Sequence, residues 1–276
     1  MIYYIINQKI LINLKLFSKT VFFDIFYYSL FQYILMSETK IINQCIYCLS
    51  DDNLSDEHAL PYSMNGDIIL GKASCPSCQK KINSEVENKI NSIFYKSARS
   101  FLRLKSRSKN YTNKILVVKD KKECEFNLKD FGTIIDFPVI DTDNPEICNS
   151  IISFHLRNES NKIPTGKYTF TTNFEYSIFL RYLAKIAYSL LIYSQGITHY
   201  NEEVTSFILG RTKSSPRIKT TNISTEFSTK KITPVDRFNL HKITYRISAD
   251  KNTHFFVISF FEFLGGPKYI VEIKEK

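Results

Sequence analysis

Four cysteines and one dipeptide carry the chemistry of this sequence. Cys45-Ile46-Tyr47-Cys48 and Cys75-Pro76-Ser77-Cys78 are two Cys-x-x-Cys pairs, and the interval between them holds Glu57-His58. A Cys-x-x-Cys turn presents two thiolates on one side. Two such turns supply the four soft ligands of a tetrahedral structural zinc ion. With Cys45, Cys48, Cys75 and Cys78 filling that tetrahedron, His58 is not required as a zinc ligand. The interval is longer than in a plain zinc ribbon, so it has room for more than structure. A carboxylate and an imidazole side by side on a metal-locked scaffold point to hydrolytic chemistry.

The order of these residues resembles the HNH endonucleases, the zinc-bound branch of the ββα-metal nucleases. The stretches that carry the resemblance are Glu57-His58-Ala59-Leu60-Pro61, Ala73-Ser74-Cys75-Pro76-Ser77-Cys78-Gln79 and Asn83-Ser84-Glu85-Val86-Glu87. The interval from His58 to Cys75 is similar to that in phage recombination endonuclease VII. The resemblance implies that His58 is the general base and that Glu57 is a ligand of one catalytic divalent ion, Mg2+ or Mn2+. It places Gln79 where the family usually has Asn or His as the second ligand. That is a departure, because Gln keeps the carbonyl donor but adds a methylene. Asn83, one helical turn after Gln79 and on the same face, is a reserve ligand. Asn65-Gly66 stands where relatives often show Gly-Gly, and Asn tolerates the left-handed backbone.

The function implied is hydrolysis of DNA phosphodiesters. Two alternatives stay open: a zinc-stapled nucleic-acid-binding module that has lost cleavage, with Gln79 as the mark of decay, and an HNH nuclease acting on RNA. A net charge of +10 over 276 residues favours a nucleic-acid partner, double-stranded DNA first. Residues 96–109 contain Lys96, Arg99, Arg103, Lys105, Arg107 and Lys109 and no acidic residue. They read either as a solvated linker or as a clamp on the phosphate backbone, which adds affinity without sequence information.

The elements that must position these groups form an α+β chain. Residues 40–95 read as an N-terminal zinc-stabilised ββα-metal (HNH) module. It has a strand into His58, a second strand near 68–70, and a helix after Cys75 with Ile82, Val86, Ile90 and Ile93 or Phe94 at helical spacing. Residues 96–110 are the basic linker. Residues 111–276 read as a C-terminal α+β domain with an antiparallel sheet and a long amphipathic helix. Residues 115–118 are its first strand and 136–145 a loop. Thr172-Asn173-Phe174-Glu175 reads as a capping box for the long helix. That helix has Ile178, Phe179, Tyr182, Leu183, Ile186, Ala187 and Leu190 as its apolar face, Arg181 and Lys185 beside the face, and Gly196 as its stop. Strands are expected at 242–247, 254–261 and 269–273, the middle one central. A LAKIAY-like helix, Ile208-Leu209-Gly210 and a GxPxY-like strand look like the tails of some bacterial HNH proteins of unknown role.

Residues 1–36 differ from the rest. Residues 21–36 are rich in Phe, Tyr, Ile and Leu with Asp24 the one charge. They fall short of the roughly 18 apolar residues of a membrane span and lack a signal-peptide cleavage site. The readings are translation from Met36, an apolar helix lying on the protein, or an anchor, so a membrane association is not the expectation. Zinc thiolates suit a reducing compartment, which points to the cytoplasm. Cys124 and Cys148 read as buried thiols without a role, and His155, His199, His241 and His254 as scattered structural histidines.

Overall fold

The computed structural model describes residues 39–91, 95–102, 104, 114–119, 122–127, 133–143, 149–155, 168–169, 175–221, 240–264 and 266–275. Among them helices and antiparallel sheets mix, the α+β class expected. Every reading of residues 1–36 lies outside the described residues, as does Cys148. Among the described residues no helix is long and apolar enough to cross a membrane.

The first sheet has β3 (Ile69–Ser74) at its centre, with β1 (Thr39–Ile41) parallel on one side and β2 (Ser55–His58) antiparallel on the other. Leu70, Ala73 and Ser74 of β3 face the core. The β2–β3 register shifts between Ser55 and Glu57, and Asp56 Oδ1 accepts from the backbone N–H of Lys72 at 3.1 Å. A bulge of this kind re-aims the next side chain, and here Glu57 is turned inward. The loop to β3 makes one 3-10 turn at Tyr62–Met64 and closes on Asn65 at φ 65°, the left-handed conformation expected there. At Gly66 a methyl group would fall 1.9 Å from the Leu60 carbonyl oxygen, so only glycine fits.

Helix α1 (Pro76–Ile82) starts with proline at its first position, where the missing N–H costs nothing. It runs on into a π-helical turn at Asn83–Glu87. Cys78, Ile82, Val86 and Ile90 are its buried positions. Ile93 and Phe94 lie outside the described residues. Helix α2 (Lys96–Leu102) follows.

Helix α3 (Tyr176–Gln195) is the centre of the fold. All of residues 182–192 are buried, so over that stretch the helix is covered on every side and not on one apolar face alone. It begins at Glu175, which makes no side-chain cap, and Thr172 to Phe174 lie outside the described residues. Gly196 at φ 98° ends it as expected. Helix α4 (Glu202–Ile208) is capped by Asn201, whose side chain accepts from Val204 N at 3.1 Å.

One side of α3 rests on a four-stranded antiparallel sheet ordered β10 (His241–Ile247), β11 (Thr253–Phe260), β12 (Lys268–Lys274), β9 (Arg217–Thr221). Phe179 meets Tyr269 at 5.3 Å and Tyr182 meets Phe260 at 5.9 Å between ring centroids. β11 is flanked on both sides, as its apolar run requires. β9, with only Ile218 fully buried, has too weak an alternation to be seen in the sequence. On its other side α3 meets the first cysteine knuckle, where the Tyr188 hydroxyl donates to Ile46 O at 3.0 Å.

β4 (Lys114–Lys119), β5 (Lys122–Asn127) and β8 (Tyr168–Thr169) form a three-stranded sheet, with Cys124 on β5. β6 (Thr133–Val139) and β7 (Asn149–His155) form a two-stranded one. Residues 136–139, expected in a loop, are strand. Pro138 sits there without harm because each strand of a two-stranded sheet is an edge.

His241 ties the four-stranded sheet to the loop after His58. Its Nε2–H donates to Met64 O at 2.9 Å, and its ring stands edge-on to Phe261 at 4.8 Å. Burial pushes its pKa down to about 4, against a smaller opposing pull from the Met64 carbonyl. The unfolded chain takes up this proton near pH 6.5, while the folded protein refuses it until about 4, so stability is lost as pH falls through that window. The cost at the acid end is on the order of 3 kcal/mol. Melting temperature measured from pH 7 to pH 4 should fall more steeply for the native chain than for His241→Gln, which keeps the N–H donor and cannot titrate.

Candidate functional site

The first knuckle is a tight turn in which Leu49 N donates to Cys45 O at 2.9 Å and Cys45 N to Ser50 O at 2.7 Å. The second is the N-terminus of α1, with Cys75 extended and Cys78 in the first turn. The four Sγ atoms lie within 4.8 Å of one another, and Cys48 and Cys75 approach to 3.6 Å. Cys45, Cys75 and Cys78 are buried and Cys48 is half-buried. The hydrogen bond from Cys78 holds the Cys45 thiol well below its usual range, and the same contact pushes Cys78 up. Four converging thiols in a shielded pocket could hold a metal ion, and the donor set fits tetrahedral zinc.

Glu57 and His58 end β2, and the structure brings to them a residue placed on the wrong surface by sequence reasoning. Lys185, expected beside the apolar face of α3, is wholly buried within it. Its Nζ lies 2.7 Å from Glu57 Oε1 and 2.9 Å from Glu87 Oε1. The same ammonium donates to the carbonyls of His58 and Ala59. Burial alone would lower the Lys185 pKa, but Glu57 and Glu87 outweigh it and raise it, so the group stays charged. Burial raises the Glu57 pKa, with Lys185 opposing and Glu87 reinforcing. One sign was available in the sequence. A helix apolar on all sides offers its single interior lysine no polar face.

This geometry bears on a divalent ion at Glu57. The carboxylate is 6% exposed and already faces an ammonium group, so as it stands it does not fit a magnesium or manganese ion that must keep several waters. Gln79 is half-buried on α1 and Asn83 is exposed one turn later. Among the described residues no hydrogen bond joins the Gln79 side chain to Glu57. His58 is half-buried, with its ring 5.8 Å from that of Tyr62 at a steep angle.

The basic stretch divides. Arg99 is not a phosphate clamp. It is 6% exposed, donating from Nε to Ser63 O at 2.9 Å and from Nη1 to Asn91 O at 3.0 Å, because on α2 it points into the loop that follows His58. Lys96 is half-buried, and Arg103, Lys105, Arg107 and Lys109 lie outside the described residues. Two histidines expected to be solitary, His199 and His254, meet at Glu275.

Replacing Lys185 with Met should cost about 3–5 kcal/mol, since it leaves the buried Glu57 carboxylate facing the half-buried one of Glu87 with no counter-charge. The triple variant Glu57→Gln, Lys185→Met, Glu87→Gln should recover part of that loss, and urea denaturation of the three proteins checks both. Cys75→Ser should abolish zinc binding by the knuckles and unfold residues 39–91, because the binding energy of such a site is folding energy. Zinc content and amide hydrogen exchange over that segment measure it.

Comparisons of the chain with protein-family models, with curated proteins and with solved structures found no match.

Proposed function

We propose that this chain is an endonuclease of the HNH kind that hydrolyses DNA phosphodiester bonds, with His58 as the general base. The observation that carries the reading is the path of the chain around His58. β2 delivers Glu57-His58 against β3, β3 runs into the second cysteine knuckle, and that knuckle opens α1. A zinc ion on the four thiols would tie both ends of the histidine-bearing loop to one helix. The net charge of +10 supports a polyanionic partner.

In this reading His58 takes a proton from a water molecule as its oxygen attacks phosphorus, and the ester bond opposite the attacking oxygen breaks. The electron pair of that bond leaves on the sugar oxygen, which takes up a proton from solvent. Lys185 does not touch substrate. It is a positioning residue, holding the His58 and Ala59 carbonyls and so fixing the backbone that carries the imidazole. The magnesium or manganese ion implied by the resemblance does not fit Glu57 as the side chain stands.

The contact between Lys185 and Glu57 favours a second reading, a module that has lost cleavage and binds nucleic acid. There the ammonium fills the carboxylate pair permanently from inside the protein.

The purified chain should be incubated with plasmid DNA and with RNA, in Mg2+, in Mn2+ and in EDTA. The first reading expects DNA cleavage that falls by about a hundredfold or more in His58→Ala, the scale of losing a general base, with zinc content unchanged. Cleavage confined to RNA would move the substrate and keep the site. Nucleic-acid binding without turnover under any condition would establish the second reading, and cleavage that survives His58→Ala would place the chemistry elsewhere.

A further inference from the structure

We propose that His199, His254 and Glu275 bind a first-row divalent cation, zinc by preference, at a site made of residues other than the cysteine cluster. Three separate segments build it. His199 ends the 3-10 turn Ile197–His199 that follows α3, His254 is the second residue of β11, and Glu275 follows β12. The scaffold fixes their approach. Glu275 N donates to Asn252 O at 2.8 Å, and the Asn201 side chain donates to Lys274 O at 3.0 Å, clamping the turn to the end of β12.

His199 Nδ1 and His254 Nε2 each lie 2.5 Å from the same oxygen of Glu275, and the three ligating atoms fall within 4.8 Å of one another. Two imidazole nitrogens and a carboxylate oxygen are the donor set of a three-ligand zinc site with one position left open. Zinc at about 2.0–2.2 Å from each donor asks for donors roughly 3–3.5 Å apart, so the carboxylate would swing back slightly from the two nitrogens to admit the ion. Glu275 is at the edge of the fold, with its side chain 32% exposed, and can make that swing.

The surroundings suit a ligand role. His254 is wholly buried, and the Tyr245 hydroxyl lies 2.7 Å from its Nδ1, with the two rings stacked 9° from parallel. A hydroxyl can donate or accept. Without a metal, His254 Nε2–H donates to Glu275 and Nδ1 accepts from Tyr245. With a metal on Nε2, the ring proton would sit on Nδ1 and donate a hydrogen bond to the Tyr245 hydroxyl oxygen. This outer partner holds the ring in ligating orientation in either state, as such partners do at metal sites. The His199 side chain is 27% exposed, so the open position faces an entry path from solvent.

The experiment is zinc titration of the full chain, followed by metal content after gel filtration and by the visible spectrum of the cobalt-substituted protein. Two equivalents are expected. One gives the intense thiolate-to-cobalt absorption of the cysteine site, and the other only weak bands free of thiolate character. His199→Ala and Glu275→Gln, both at partly exposed positions that the core does not depend on, should each lose the second equivalent and keep the first. Tyr245→Phe should retain both and weaken the second by about 10–100-fold. Added zinc should raise the melting temperature of the native chain and not that of His199→Ala. A single equivalent in the native protein, or a second one unaffected by His199→Ala and Glu275→Gln, would overturn the proposal and leave a hydrogen-bonded His–Glu–His cluster in its place.

Discussion

An ammonium group cut off from water must find all its counter-charge and acceptors inside the protein, and Lys185 finds them in two carboxylates and two carbonyls. Those partners come from β2, from the loop after it and from the π turn after α1. The lysine comes from a helix more than ninety residues further along the chain. Satisfying one buried charge therefore fixes the bulged strand, the loop start and the helix turn at once. Only one arrangement leaves no charge orphaned, which gives this region a specificity that apolar packing alone would not.

The cysteine knuckles and α3 are joined by more than that ion group. Tyr188 bonds the Ile46 carbonyl between the first two cysteines, and the Tyr47 hydroxyl lies 3.5 Å from Ser189 Oγ. One hydrophobic cluster continues from Ile46 and Tyr47 through α3 to Tyr269 and Val271 of β12. The thiols are thus set by the same helix that carries the four-stranded sheet. The geometry of Glu57-His58 depends on packing far from it in sequence.

What could be read in the sequence was local. The knuckles, the strand into His58, the left-handed Asn65, the helix after Cys75 and the closing strands all follow from short-range spacing and turn chemistry. They appear where that chemistry puts them. What was missed is non-local. Lys185 looked like a flank residue because a helical wheel, even one apolar nearly all round, does not show which carboxylates another element will bring to it. Arg99 looked available because a run of basic residues says nothing about which carbonyls lie nearby. His199, His254 and Glu275 share no spacing rule at all, since they meet only when β12 returns beside β11 and the turn after α3 folds over the pair. The π turn was invisible too. The apolar spacing Ile82, Val86, Ile90 fits an ordinary helix as well as a widened one.

That widened turn has a consequence for length. A π turn places one more residue in a helical circuit than the α-helix on either side. The turn has already absorbed its extra residue, so were another inserted between Asn83 and Glu87, everything beyond would rotate by about 100° relative to what precedes it. The Glu87 carboxylate would leave Lys185, and Ile90 would leave the core. Substitutions along this helix can be absorbed one side chain at a time. A further residue would be felt simultaneously by the ion group and by the hydrophobic interior, so this segment has an upper limit on its length set before any particular residue is.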